Sequence, residues 1–210
     1  MTITKTEIES DILPVVVRAD WVRGAAQGHW NYAAYATLPD DGNRYEILDG
    51  VLLMTPSPSF EHQNANAMIS HYLVGHVKLK GLGQVLAAPF DVELPSGDVV
   101  QPDVLVVLKE YEERITQSRL VGAPDLVVEI ASPSTAGYDR SKKQAAYARA
   151  EVPEYWVVDT AAKTVELLVL QLATTTQPTE YQSQGVFRGK ATLPSSLLTD
   201  FKVKVEQFFA

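Results

Sequence analysis

Short apolar runs punctuated by proline and glycine are the feature that most restricts how this chain can fold. These runs are rich in β-branched residues, which pack well on the surface of a sheet. The runs that we predict to form strands are 85–94, 99–108, 126–131, 155–159 and 165–170. Asp49-Gly50 lies between two further apolar runs within 44–54 and predicts a hairpin turn. This pattern favours a sheet over a helical bundle.

Helical periodicity is confined to three stretches. Residues 59–80 carry a mostly apolar stripe at helical spacing, and 138–150 form an alanine-rich segment that ends before Pro153. Asn31 can cap a short helix that reaches about Leu38. Helices that alternate with strands in this order predict an α/β (α+β mixed sheet) fold class, with a central mixed β-sheet flanked by helices.

Length and hydropathy describe an ordinary globular protein. The 210 residues allow one domain or at most two small ones. We expect a peripheral segment at 1–28 and a single domain at 29–210, whose tail from 171 holds a threonine-rich loop and weaker strands. No run approaches the roughly 20 apolar residues of a membrane span, and the polar start lacks the apolar core of a secretory signal. A cytoplasmic protein without membrane contact is therefore expected.

Composition and missing motifs exclude several classes of function. The chain has no cysteine, which excludes disulfides, thiolate catalysis and cysteine-ligated metal sites. Its net charge of −8 disfavours a protein that coats nucleic acid non-specifically, although an enzyme that uses acidic residues to hold a metal stays possible. The phosphate loop, the dinucleotide fingerprint and the serine elbow are absent. The four histidines lack metalloprotease spacing and are interpreted as structural or surface residues.

Two acidic residues lie within very apolar runs. Asp103 lies in the run 99–108, and Glu129 lies in the run 126–131. Carboxylates are rarely buried unless they are paired or bound to a metal ion. Two carboxylates on neighbouring strands could share Mg²⁺ or Mn²⁺, which prefer oxygen ligands. The alternative is that Asp103 belongs to a turn after Pro102 and that Glu129 forms a structural ion pair.

A lysine and a third acid could complete such a site. On the predicted helix, Asp139, Lys143 and Tyr147 share one face, and a lysine beside a metal-bound water could orient it. The alternative for Lys143 is a solvated helix face with a surface ion pair. Glu46 lies in a run with period-two alternation, whereas its neighbour Asp49 is explained by the turn.

These residues together resemble the signature of the PD-(D/E)xK nuclease superfamily. More narrowly, the chain resembles the Uma-type family of bacterial restriction-endonuclease-like proteins, over roughly 30–170. The stretches that carry this resemblance are Arg44–Gly50, Pro56–His62, Gln101–Asp103, Pro124–Thr135, Asp139–Tyr147 and Val152–Asp159. The resemblance implies a restriction endonuclease-like core.

The resemblance also implies a role for each matching residue. Asp103, Glu129 and Glu46 would hold a divalent metal, with help from the carbonyl of Ile130. The signature lysine would fall at position 131, where this chain has alanine, so its role passes to Lys143 in the following helix. His62 matches a histidine of the family pattern, without an assigned role.

The resemblance implies an Mg²⁺- or Mn²⁺-dependent DNA endonuclease. A homodimer could supply the two sites for cutting both strands, and two-fold symmetry is the commonest form of oligomer. The basic residues considered for contacts with DNA phosphates are Arg44, Lys109, Arg114, Arg119, Arg140 and Lys142. One alternative is a catalytically degenerate nuclease fold that binds nucleic acid or a protein partner. Another is an enzyme of a different class that uses the same metal site.

Overall fold

The computed structural model describes residues 16–131, 142–173 and 178–210. Within these ranges, twelve strands form two six-stranded sheets. The strands are β1 (Val17–Arg18), β2 (Arg44–Leu48), β3 (Val51–Thr55), β4 (Gly83–Ala87), β5 (Asp91–Glu93), β6 (Val99–Val100), β7 (Val104–Leu108), β8 (Arg119–Val121), β9 (Leu126–Ala131), β10 (Glu154–Asp159), β11 (Thr164–Gln171) and β12 (Glu180–Arg188). The mixed α+β fold class predicted from the sequence is confirmed, and the described strands are divided between two sheets.

Sheet 1 has the strand order β1-β3-β2-β6-β5-β8. Its centre is the predicted hairpin of β2 and β3, in which Asp49 and Gly50 both have positive φ angles, 51° and 71°. A turn with two positive φ angles matches the right-handed twist of the strands it joins. Strand β1 pairs with β3, so part of the segment expected to be peripheral forms an edge of this sheet. Strands β5 and β8 run parallel, and the other pairs are antiparallel.

Sheet 2 has the strand order β12-β11-β10-β9-β7-β4. Strands β9 and β10 are parallel neighbours, and Val157 lies opposite Glu129. The predicted strand at 126–131 coincides with β9, and the predicted strands at 155–159 and 165–170 fall within β10 and β11. Runs of β-branched residues buried on both faces explain why these strands could be recognised locally.

The predicted strands at 85–94 and 99–108 are each broken in two. Strands β4 and β7 pair in sheet 2, whereas β5 and β6 pair in sheet 1, so the two runs form one bent ribbon that joins the sheets. Pro89 and Pro102 lie at the breaks, and proline cannot donate a hydrogen bond to a continuous ladder. The backbone N–H of Ala88 donates a hydrogen bond of 3.1 Å to the carbonyl oxygen of Asp103 across the bend. The bend therefore places Asp103 at the junction between the two sheets.

Three α-helices are present in the described residues: α1 (Tyr32–Tyr35), α2 (Phe60–Leu73) and α3 (Gln144–Arg149). Asn31 caps α1 as predicted, since its side chain accepts a hydrogen bond from the N–H of Ala34. A π-helical turn, Val74–Lys78, extends α2 almost to its predicted end. The start of the predicted helix at 138–150 lies outside the described residues. None of the described helices is long and apolar enough to cross a membrane.

The layers of the fold follow from which face of sheet 2 each element covers. Helix α2 and a 3₁₀ turn at Val205–Phe209 pack on one face, where Phe208 stacks near Trp156 with ring centroids 6.4 Å apart. Sheet 1 and α3 pack on the other face. Alternate residues of β9 point to opposite faces, so Glu129 faces sheet 1 and α3.

Candidate active site

Asp103 is held by three elements at the bend between the sheets. Its Oδ2 accepts hydrogen bonds from the backbone N–H of Ile130 in β9, at 2.8 Å, and lies 3.0 Å from Nε2 of His62 in α2. Its carbonyl oxygen accepts a hydrogen bond from the side-chain amide of Asn66, one helical turn further along α2, at 3.1 Å. The Asp103 side chain is therefore fixed in one orientation beside β9.

The surroundings of Asp103 favour its charged form. Burial opposes ionisation and raises the pKa, because Asp103 is 6% exposed. The His62 ring, the N–H of Ile130 and the Lys143 ammonium act in the opposite direction and hold the pKa of Asp103 below its ordinary value. The interpretation of Asp103 as a mere turn residue does not account for these contacts.

Glu46, Glu129 and Lys143 form one buried cluster. Nζ of Lys143 lies 2.9 Å from Oε1 of Glu46 and 3.1 Å from Oε1 of Glu129. The three residues are 1%, 3% and 5% exposed respectively. A solvated surface pair at Lys143 was therefore the wrong alternative. The ion pair proposed as the alternative for Glu129 does exist, and it joins the same residues that the resemblance places in the site.

Glu46 is tied to the segment that carries Asp103. Its Oε1 accepts a hydrogen bond from the backbone N–H of Gln101 at 2.8 Å, while its Oε2 is buried and has no hydrogen-bond partner. A buried carboxylate oxygen without a donor is costly, and a cation would satisfy it. The sequence analysis named Glu46 as a candidate site residue because of its period-two alternation. In the structure, Glu46 lies on β2 of sheet 1 and contacts Lys143 just before α3.

Tyr147 is a site residue that the sequence reasoning did not assign. Its hydroxyl donates a hydrogen bond to Oε1 of Glu129 at 2.5 Å, and its ring is fully buried. Burial, followed by the charges of Glu129 and Glu46, raises the pKa of Tyr147 well above its ordinary value, so the hydroxyl keeps its proton. The signal was its position four residues after Lys143, on the same helix face. His62 was named from the family resemblance but was given no role, because a single histidine carries little information in a sequence.

The donor set suits a hard divalent cation, since it consists of carboxylate oxygens. Within residues 16–131, 142–173 and 178–210, however, no group of three or more His, Asp or Glu side chains is arranged to hold a metal ion. The Lys143 ammonium lies between Glu46 and Glu129 instead. The chemistry of the side chains thus fits a metal, while a cationic side chain stands between two of the three acids.

Several basic residues considered for phosphate contacts have partners within the protein. Arg119 forms an ion pair with Glu93 at 2.8 Å and stacks over Tyr32. Arg114 lies over the Tyr111 ring. Arg44 donates hydrogen bonds to Gln101. Lys142 is exposed next to the site, and Arg140 lies outside the described residues.

Comparisons with known proteins concern the family and the fold of this chain. Residues 32–206 match the family model Uma2, described as "Putative restriction endonuclease". One similar solved structure is described as that of "a putative nuclease belonging to DUF820 from Anabaena variabilis ATCC 29413". It is 18% identical, with a TM-score of 0.67, over 86% of this chain and 97% of that chain, and at this identity the likeness concerns the fold. A comparison with curated proteins gives no match.

Proposed function

Because the chain belongs to the Uma2 family, we propose that it hydrolyses phosphodiester bonds in DNA as a divalent-metal-dependent endonuclease. The observation that carries this proposal is the buried contact of Lys143 with Glu46 and Glu129, next to an ionised Asp103. Buried acids beside a buried lysine are costly for stability, so their presence in one place is best explained by catalysis.

The roles of the residues follow from their chemistry. Asp103, Glu129 and Glu46, with the carbonyl of Ile130, would hold Mg²⁺ or Mn²⁺. Such an ion supplies Lewis-acid chemistry, because it makes water more acidic and offsets charge on the phosphate. Lys143 carries protons that it can donate as hydrogen bonds to an attacking water or to a phosphate oxygen.

The neighbouring residues orient this machinery. His62 and the N–H of Ile130 hold Asp103, and Tyr147 holds Glu129, so the acids need little rearrangement during the reaction. We also propose that the protein acts as a homodimer, because two symmetry-related sites could cut both strands of a duplex.

The test is DNA cleavage by wild type and Asp103→Asn with Mg²⁺ or Mn²⁺ and supercoiled plasmid. We expect Asp103→Asn to abolish cleavage, because the amide cannot provide the negative charge. Asp125→Asn is the matched control, since Asp125 is equally buried and accepts a backbone hydrogen bond, from Leu108 at 2.7 Å, outside the cluster. Cleavage that persists in purified Asp103→Asn, or that is lost equally in Asp125→Asn, would contradict the assignment.

A second candidate is a catalytically degenerate module that binds nucleic acid or a protein partner. It is favoured by the lack, in the described part of the chain, of a ready-made group of three metal-binding side chains, and by the net charge of −8. Under this alternative, wild type binds its partner without cleaving DNA, and Asp103→Asn leaves the binding unchanged.

A further inference from the structure

The Lys143 ammonium lies where a cation shared by Glu46 and Glu129 would lie. It is within 3.1 Å of one oxygen of each carboxylate, and its side chain is 6% exposed. Two carboxylates this close to one point repel each other unless a positive charge lies between them. In the described structure, the lysine provides that charge.

We propose that Lys143 is the built-in counter-ion of the Glu46–Glu129 pair and competes with a divalent metal ion for that position. The inference rests on the proposed function, because it assumes that these acids take up a metal. Metal loading then requires the ammonium to leave both carboxylates. The same movement frees the lysine to act on water or phosphate, so one step fills the metal site and releases the lysine.

The contacts of the two acids support such an exchange. The N–H of Gln101 holds Oε1 of Glu46, and the hydroxyl of Tyr147 holds Oε1 of Glu129, independently of the lysine. The carboxylates therefore have supports that stay in place when the ammonium leaves. Oε2 of Glu46, which is buried and without a hydrogen-bond partner, offers a further position for a cation.

Charge balance predicts the effect of removing the lysine. Lys143→Met keeps an unbranched side chain that is one heavy atom shorter, but it removes the positive charge from between two buried carboxylates. The metal-free variant should therefore be less stable than wild type. Mn²⁺ should now bind about tenfold more tightly or better, because no ammonium competes with it and repels it. At an Mn²⁺ concentration 100 times the Kd, the variant's Tm should rise by about 5–10 °C.

The experiment is calorimetric titration with MnCl₂, together with thermal unfolding with and without MnCl₂. The matched control is Lys142→Met, which removes an exposed lysine next to Lys143 and should leave Mn²⁺ affinity close to that of wild type. The double variant Glu46→Gln/Lys143→Met removes one negative charge along with the positive one. Without metal, this double variant should be more stable than Lys143→Met. Its Tm should also rise less when Mn²⁺ is added.

Tighter Mn²⁺ binding by Lys143→Met supports the proposal, and equal or weaker binding overturns it. If Lys143→Met does not fold even with Mn²⁺, the double variant decides: a folded double variant supports the counter-ion role, and an unfolded one overturns it. DNA cleavage is measured separately. A wild type that cleaves no DNA, beside a Lys143→Met variant that binds Mn²⁺ more tightly, would refute the endonuclease proposal and leave this inference standing.

Discussion

Tyr147→Phe isolates one hydrogen bond of the buried cluster. The Tyr147 ring is fully buried, with its centroid 5.4 Å from that of Tyr155, and phenylalanine preserves this packing. The substitution removes only the hydrogen bond to Oε1 of Glu129. A hydrogen bond to a charged group contributes about 1.5–3 kcal/mol to the free energy of unfolding. For a chain of this size, that predicts a fall in Tm of about 3–12 °C, measured by scanning calorimetry at pH 7.

Tyr181→Phe is the matched control. The Tyr181 hydroxyl donates a hydrogen bond to the neutral carbonyl of Val152 at 2.7 Å, and such bonds contribute about 0.5–1.5 kcal/mol. Tyr147→Phe should therefore lower the Tm about twice as much. If Tyr181→Phe costs as much stability as Tyr147→Phe, the reasoning that Glu129 is a charged acceptor is refuted.

Three further predictions concern stability, measured by urea unfolding. Burial raises the pKa of Asp125, so the folded state holds that proton more tightly than the unfolded chain and loses stability as pH rises through the folded pKa. Asp125→Asn should therefore be more stable than wild type at pH 7 but not at pH 3; equal stability at both would contradict this. Gly50→Ala should destabilise the protein more than Gly42→Ala. Both glycines have a positive φ angle, which costs alanine about 1–2 kcal/mol, but a Cβ at position 50 would also lie 2.5 Å from a backbone oxygen. Phe208→Ala should cost about 3–5 kcal/mol, because the ring is fully buried, and a negligible cost would mean that the C-terminal turn does not pack on the core.

Elements whose signals are local could be predicted from the sequence. Strand β9 and the hairpin turn at Asp49-Gly50 each depend on a few consecutive residues, and both were found in place. Helix α2 was also found, since its apolar stripe repeats over several turns. In these cases the same residues provide the signal and make the local structure.

The division into two sheets could not be predicted in the same way. A run such as 85–94 reads as one strand, because its side chains do not reveal that its two halves have partners in different sheets. Proline at the break permits the bend. The partner strands of the two halves, however, are formed by residues further along the chain. Pairing register is decided by packing across the whole molecule.

The candidate site divides along the same line. The sequence by itself determined that Asp103 and Glu129 are acids within apolar runs, where a charge needs a partner. Tertiary structure decided which partners they have. His62 lies 41 positions from Asp103 along the chain, and Tyr147 lies 18 positions from Glu129. A buried charge is neutralised by a partner about 3 Å away in space. Folding decides that distance, whereas the spacing of the residues along the chain does not.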